Sequence, residues 1–214
     1  MPSSGRGGAG PGVSSKLELL DYRREIFSLY GRMRQAMSPE GAWEDWRLTR
    51  RRLYTQHPQS PVPPSQRASY EGPHYFPYDR TRRVLAHIEE AEPRRYELPS
   101  STDEPFFFTR FGAAVFELDG RNYSLGLYWL DTYGGGLFLP FHDASSGTET
   151  YGAGRYLLDT VKGADLGSER GELVLDFNFS YQPSCSYDPR WGCPLAPPEN
   201  RLDIAVTAGE RLQA

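Results

Sequence analysis

The sequence predicts a mainly β (α+β) protein: an antiparallel β-sandwich or barrel-like domain preceded by two N-terminal helices. Three observations carry this. The 214 residues include 22 Gly, 18 Pro and 14 Tyr, and 14% are aromatic, a turn-rich mixture that suits short strands better than a helical bundle. The hydrophobic period changes from three-to-four to two at His74. From there on, the strand-like runs HYFPYD, RRVLAHIEE, RRYELPS, FFFTRF, AAVFELD, RNYSLGLYWL, GLFLPFHD, GRYLLD, ELVLDFN and RLDIAVTAGE follow one another without a long helical pattern between them, each bounded by Gly, Pro, Asp or Asn.

The elements divide the chain into four parts. Residues 1–15, MPSSGRGGAGPGVSS, are Gly/Ser-rich and are expected to be a disordered tail. Residues 16–57 are expected to form two helices. The first spans about 17–37, with Leu19, Leu20, Arg23, Ile26, Phe27, Tyr30, Met33 and Met37 recurring at helical spacing. The second starts at Ser38-Pro39, Ser as cap and Pro at the first helical position. It carries Trp43, Trp46, Leu53 and Tyr54 on one stripe and must stop before Pro58. Residues 58–73 form a Pro-rich strap, in which four prolines within 58–64 exclude helix and central strand. Its PxxP spacing also fits an SH3-type ligand; an extended segment lying across the domain is the simpler reading. Residues 74–214 form the β domain. Its clearest link is Asp119-Gly120, a type I′ hairpin signal, with Val115 and Glu117 set against Tyr123 and Leu125.

Charge is uneven along the chain. Residues 1–95 carry 16 basic and 11 acidic side chains and residues 96–214 carry 8 and 17, for a net charge of −4. Arg blocks at 50–52, 82–83 and 94–95 raise the question of nucleic acid, but an acidic chain with no base-reading motif argues against it. Solvated faces, or pairing with the acidic half, explain the blocks better. There is no 18-residue apolar run and no apolar core of a signal peptide, so the expectation is a cytoplasmic protein with no membrane segment.

Two stretches concentrate chemistry: FHDASSGTETYGAGRYLL at 141–158 and DFNFSYQPSCSYDPRWGCPLAPPENRL at 176–202. Together with the Trp-bearing helix, HPQSP, YEGPHYFPYD and PPENRLDIAVTAGER, they resemble a bacterial and archaeal family catalogued as domain of unknown function 1684, over about residues 40–212. The resemblance implies no reaction, cofactor or catalytic residue. A functional reading has to come from the side chains.

In the first stretch, His142, Asp143, Ser145, Thr148, Thr150, Tyr151 and Arg155 offer hydroxyls, loop amides and a guanidinium, the donors that a carboxylate or phosphate needs. The structural alternative is that Asp143 and Thr150 cap turns while Arg155 pairs with a buried carboxylate. In the second stretch, Asp176, Asn178, Tyr181, Glu199, Asn200 and Arg201 could face a ligand, or could tie down a long loop as a buried network. The expectation is a small anionic, carboxylate- or phosphate-bearing ligand held between residues 141–158 and 176–201. Asp143, Asp176 and Glu199 are the candidate bases if hydrolytic chemistry follows. The alternative is a non-enzymatic β module mediating protein contacts or homodimerisation through the amphipathic N-terminal helix.

No P-loop, zincin, α/β-hydrolase or dinucleotide motif is present, and no cofactor is expected. Cys185 and Cys193 lack the spacing and partners of a zinc site, so no metal is expected. They read as two buried thiols beside Trp191 and Pro194.

Overall fold

The computed structural model describes residues 13–98, 100–101 and 105–213. Of the expected N-terminal tail, residues 1–12 lie outside the described residues, and residues 13–15 are already helical. Helix α1 (Val13–Gln35) buries Ile26, Leu29, Tyr30 and Met33, a stripe at three-to-four spacing. The stripe is narrower than expected: Leu19, Leu20 and Phe27 are exposed, and Met37 lies beyond the helix end.

Ser38 starts the next helix as the sequence predicts. Its backbone is extended and its Oγ accepts the Gly41 N–H at 3.1 Å, satisfying one of the orphan donors of the first turn. Helix α2 (Pro39–Gln56) turns Ala42, Trp43, Trp46, Arg50, Leu53 and Tyr54 inward. Ion pairs Arg32–Asp45 (2.9 Å) and Arg52–Glu25 bind it to α1, as does the Trp46 indole N–H on Tyr30 Oη at 3.0 Å.

The Pro-rich segment is less extended than expected: it turns at Ser60, whose N–H donates to His57 O at 3.0 Å, and enters the short helix α3 (Pro64–Arg67), because proline is excluded from a helix interior but not from its first position. The Arg67 guanidinium donates to the carbonyls of His57, Pro58, Ser60 and Val62 at 2.9 to 3.3 Å. Ser60, Pro61 and Val62 are buried against the domain.

The strands are β1 (His74–Tyr75), β2 (Arg83–Leu98), β3 (Phe106–Leu118), β4 (Arg121–Leu130), β5 (Leu137–Phe141), β6 (Arg155–Asp159), β7 (Ser168–Glu169), β8 (Glu172–Asp176) and β9 (Glu210–Arg211). Seven of them form one antiparallel sheet in the order β6-β5-β4-β3-β2-β8-β7, while β1 pairs with β9 alone. The sheet curls into a half-barrel, so the fold is mainly β with N-terminal helices, as expected. RRVLAHIEE and RRYELPS join into β2, and FFFTRF and AAVFELD join into β3, each across a register shift. RLDIAVTAGE is the exception: only its last residue, Glu210, enters a strand.

β2 shows why its sequence carries charge and Pro93. β8 is short and covers only Arg83 to Ala86. Beyond Ala86 one edge of β2 is open, and there Glu89, Glu90, Glu92, Pro93, Arg94 and Arg95 are exposed, a composition that blocks pairing with another chain. The β3–β4 hairpin turns on Asp119 and Gly120, both at positive φ (+52° and +73°), as a type I′ turn requires. Its register pairs Phe116 with Tyr123 and Ala114 with Leu125. Val115 and Glu117 therefore belong to the opposite face from the one assigned by sequence, because a two-residue loop sets the partners one position over.

The inner face of the half-barrel is filled by Phe116, Leu118, Leu125, Leu127, Leu139 and Phe141 from the sheet. It is closed by Leu202, Val206 and Ala208 from the irregular C-terminal segment. A second apolar layer joins α1 and α2 to Phe179 and Ala164. Where these helices meet the end of the sheet, a cavity is left.

Candidate functional site

The 141–158 loop is a closed network. Asp143 Oδ1 accepts the Ser145 N–H at 2.7 Å and the Ser145 hydroxyl. Ser145 Oγ shares a hydrogen bond with Thr150 Oγ1 at 3.0 Å, and the Thr148 hydroxyl donates to Ser145 O at 2.9 Å. Asp143 Oδ2 pairs with Arg155 Nη2 at 2.5 Å, with both side chains essentially inaccessible (0% and 1% exposed). The other donors of Arg155 go to the carbonyls of Val206, Ala208 and Glu210. Both terminal nitrogens are committed, and burial pushes the guanidinium pKa down against the pull of Asp143. The groups expected to meet an anion here are bonded to one another and to the C-terminal segment.

The second stretch is similarly tied. Asp176 Oδ1 accepts the Asn178 N–H at 3.0 Å and its Nδ2 at 2.8 Å, which ends β8 in a single 3-10 turn (Phe177–Phe179). The Asn178 amide also bonds both backbone groups of Asp79. Asn200 is buried and exchanges two hydrogen bonds with the backbone of Gly126, at 2.9 and 3.0 Å, while its Nδ2 also donates to Pro140 O at 2.8 Å. A Cβ at Gly126 would lie 3.0 Å from Asn200 Oδ1, so the glycine allows this approach. Glu199 accepts from the Tyr128 hydroxyl at 3.2 Å, Arg201 is exposed, and His142 Nε2–H donates to Ala196 O at 3.0 Å.

The two stretches do meet. Residues 142–144 run parallel to 200–204, joined by His142 N–H to Asn200 O and Ala144 N–H to Ile204 O, and Tyr156 pairs with Tyr181. Arg155 bonds to neither Asn178 nor Glu199 among the described residues.

An opening lies on the helix side of that junction. A cavity of about 270 Å³ is lined by Leu19, Tyr22, Arg23, Ile26 and Tyr30 of α1, by Arg50 and Tyr54 of α2, and by Gln59 and Pro61 of the strap. Tyr156, Lys162, Ala164 and residues 181–184 and 191–193 complete the wall. Of the residues expected at the site, Tyr181 is the one it contains. Among the described residues no Asp or Glu lines it, whereas Arg23, Arg50 and Lys162 all do.

Arg50 is the organising group, 4% exposed. Its guanidinium lies over the rings of Trp46, Tyr54 and Tyr181 at 4.8, 4.7 and 4.8 Å. Nη2 donates to Tyr54 Oη at 2.8 Å and to Glu210 Oε2 at 2.6 Å, and Nε donates to Tyr75 Oη at 3.3 Å. Nη1 has no protein partner among the described residues. Glu210 is fully buried. Burial raises its carboxyl to about 6 against the opposing pull of Arg50, and its Oε1 has no hydrogen-bond partner among the described residues. Burial likewise pushes Tyr22 and Tyr30 up to about 12, so these hydroxyls stay protonated near neutral pH and can donate.

Arg50 escapes a sequence reading because it sits in the block Arg50-Arg51-Arg52, which looks like a solvated face. The signal was its spacing. It falls four residues after Trp46 and four before Tyr54, inside the apolar stripe of α2.

A family model described as protein of unknown function (DUF1684) matches residues 68–211. The match begins beyond the Trp-bearing helix and HPQSP, where sequence alone places the start of the resemblance. Among solved structures, the solution NMR structure of an uncharacterized protein from Haloarcula marismortui is similar, with a TM-score of 0.57 and 34% identity over 81% of this chain and 94% of that one. No curated protein matches.

Proposed function

We infer that this chain, which belongs to the DUF1684 family of proteins of unknown function, binds a small organic anion with an apolar or aromatic body in the cavity beside Arg50. One observation supports this reading: among the described residues the lining combines three cationic side chains, no acidic one and a wall of five tyrosines and one tryptophan. Such a site suits a ligand with a carboxylate or phosphate at one end and a ring or short chain at the other, since apolar walls hold the body and a few polar groups fix its orientation. Arg50 is held in place by its aromatic neighbours and Glu210, so little ordering is lost when an anion meets Nη1. The Asp143, Asp176 and Glu199 carboxylates are not among the lining residues, so the reading is binding, with no reaction assigned.

The test is a thermal-shift panel of phenylacetate, 4-hydroxybenzoate, hexanoate, phenyl phosphate and inorganic phosphate, run on the wild type and on Arg23→Ala and Lys162→Ala. Both substitutions remove an accessible cation and leave the Arg50 network intact. A ligand at about 100 times its Kd adds about 2.7 kcal/mol, a readable shift. The expected result is stabilisation by at least one organic anion, reduced in both variants. Equal shifts in all three proteins would place any binding elsewhere, and no shift across the panel would count against the reading.

Glu210 adds a pH dependence. Below about 6 it becomes neutral and leaves the Arg50 charge uncompensated, while an ordinary carboxylate ligand stays ionised above ~4.3. Affinity for an organic carboxylate is expected to rise as the pH falls from 7 to 5.5, and a flat or opposite profile by titration calorimetry would contradict this.

A further inference from the structure

A second cleft, of about 290 Å³, lies between the helices and β8 and shares no lining residue with the Arg50 cavity. Strand alternation sets its floor. Leu173 and Leu175 of β8 pack into the half-barrel, so Val174 and Asp176 point the other way and line the cleft, with Arg83 of β2 directly opposite Asp176. Met33 of α1, Ala42 of α2, Leu166 and Phe179 supply an apolar wall. Met37 and Glu169 line it where they are exposed to solvent.

The two oxygens of Asp176 are used unequally. Oδ1 accepts the backbone and side-chain N–H groups of Asn178, a turn-capping role that an uncharged Asn or Ser also performs. Oδ2 accepts no hydrogen bond among the described residues, although the side chain is 1% exposed. Arg83 Nε lies 3.9 Å away, beyond hydrogen-bond reach, while its Nη2 donates to Glu169 at 2.5 Å. The other arginine of the cleft, Arg34, donates to Asp165 O at 2.7 Å and pairs with the Asp165 carboxylate at 3.7 Å. Two arginines thus serve the carboxylates of Asp165, Glu169 and Asp176, and the most buried of these has the longest contact. A buried carboxylate oxygen without a donor is costly, and this one sits in the wall of an open cleft.

We propose that the cleft binds an organic ammonium, a primary amine on a small apolar body, whose N–H group donates to Asp176 Oδ2. The ligand supplies the donor that Oδ2 lacks and the charge that Arg83 compensates only at a distance, while the apolar wall receives its body. Burial raises the Asp176 carboxyl to about 6 against the pull of Asn178 and Arg83, so it is mainly ionised at about pH 7.5, where an alkylammonium resembling the Lys side chain (~10.4) keeps its proton. A divalent metal fits less well. Among the described residues no group of three or more His, Cys, Asp or Glu is placed to hold one, and the neighbouring guanidinium repels a double charge more than a single one.

The test uses the methionine methyl groups. Met33 and Met37 are two of the three methionines in the chain, and both line the cleft. Full-length protein labelled with carbon-13 at the methionine methyls is titrated at about pH 7.5 with benzylamine, with benzyl alcohol as its uncharged counterpart, and with magnesium chloride. The expected result is a saturable shift of the Met33 and Met37 signals with benzylamine alone. Asp176→Asn keeps the Oδ1 acceptor for Asn178 and puts an amide in place of Oδ2, and is expected to weaken binding about tenfold or more. Lys162→Ala, which alters the Arg50 cavity, is expected to leave it unchanged. No saturable shift at either methyl, an equal response to benzyl alcohol, a response to magnesium that benzylamine lacks, or undiminished binding in folded Asp176→Asn would each overturn the proposal. The wild-type comparison of charged and uncharged ligands does not depend on the variant folding, and it stands apart from whether the Arg50 cavity binds an anion.

Discussion

Arg155 and Arg50 are both buried arginines paired with a carboxylate, and their remaining donors separate their roles. Arg155 spends both terminal nitrogens on Asp143 and three C-terminal carbonyls. Removing one partner of such a pair strands a buried charge, which costs about 3–5 kcal/mol. Arg155→Ala is expected to lose roughly that much in urea unfolding, and a loss under ~1 kcal/mol would contradict the clamp. Asp176 makes a second prediction at this scale. Burial raises its carboxyl from 3.8 to about 6 against the pull of Asn178 and Arg83, and its Oδ2 has no hydrogen-bond partner among the described residues, Arg83 Nε lying 3.9 Å away. Because the folded protein holds this proton more tightly, the contribution to stability is present below about pH 4 and is lost as pH rises through about 6. At about 1.4 kcal/mol per tenfold change in proton affinity, the loss is on the order of 3 kcal/mol. Asp176→Asn keeps an Oδ1 acceptor and is expected to flatten that slope between pH 4 and 6. An unchanged slope would show that Asp176 is not the titrating group.

At the scale of elements, Asn200 shows what the sequence could and could not convey. Its amide completes hydrogen bonds on β4 and β5 from 74 and 60 residues away. Asn200→Ala would leave the Gly126 N–H and C=O and the Pro140 C=O without this partner, a loss of at least roughly 3 kcal/mol at about 1–3 kcal/mol per stranded group. A loss below ~1 kcal/mol by chemical denaturation would show that water replaces it. Local signals were legible: Ser38-Pro39 caps α2, Asp119-Gly120 turns the hairpin, and the period change at His74 marks where strands begin. They were legible because cap and turn chemistry act within four residues. Whether a cluster of Asp, Ser, Thr and Arg opens to solvent or closes on itself depends on residues 206–210 folding over it, which no local pattern records. RLDIAVTAGE was misread for the same reason: it has the alternation of a strand, yet it serves as a cover for the half-barrel, with its carbonyls turned to Arg155.

Across the whole molecule, part of the basic first half is paired with the acidic second half, while other ion pairs stay within one half. Arg34–Asp165, Arg50–Glu210, Arg82–Asp119, Arg83–Glu169 and Arg95–Asp131 all cross that divide. Two of these pairs, Arg34–Asp165 and Arg50–Glu210, fasten the helices to the loop after β6 and to β9, beside the Trp46 and Phe179 layer, and the helices provide much of the cavity wall. Deleting residues 1–37 removes five lining side chains together with the buried stripe of α1. The truncated chain is expected to lose both stability and anion binding. A truncation that stayed as stable as the full chain and changed only its oligomeric state would favour α1 as a contact surface, as its exposed Val13, Leu17, Leu20 and Phe27 would then suggest.

The location of the ligand site is the claim on which the rest depends, and amide and indole NMR shifts of the full-length protein during titration with phenylacetate test it most directly. The account predicts the largest changes at the Trp191 indole and at Gln59, Gln182 and Lys162, with saturation and with weaker binding in Lys162→Ala. Changes confined to Ser145, Thr148 and Thr150, with the cavity signals unmoved, would return the site to the loop and contradict the account.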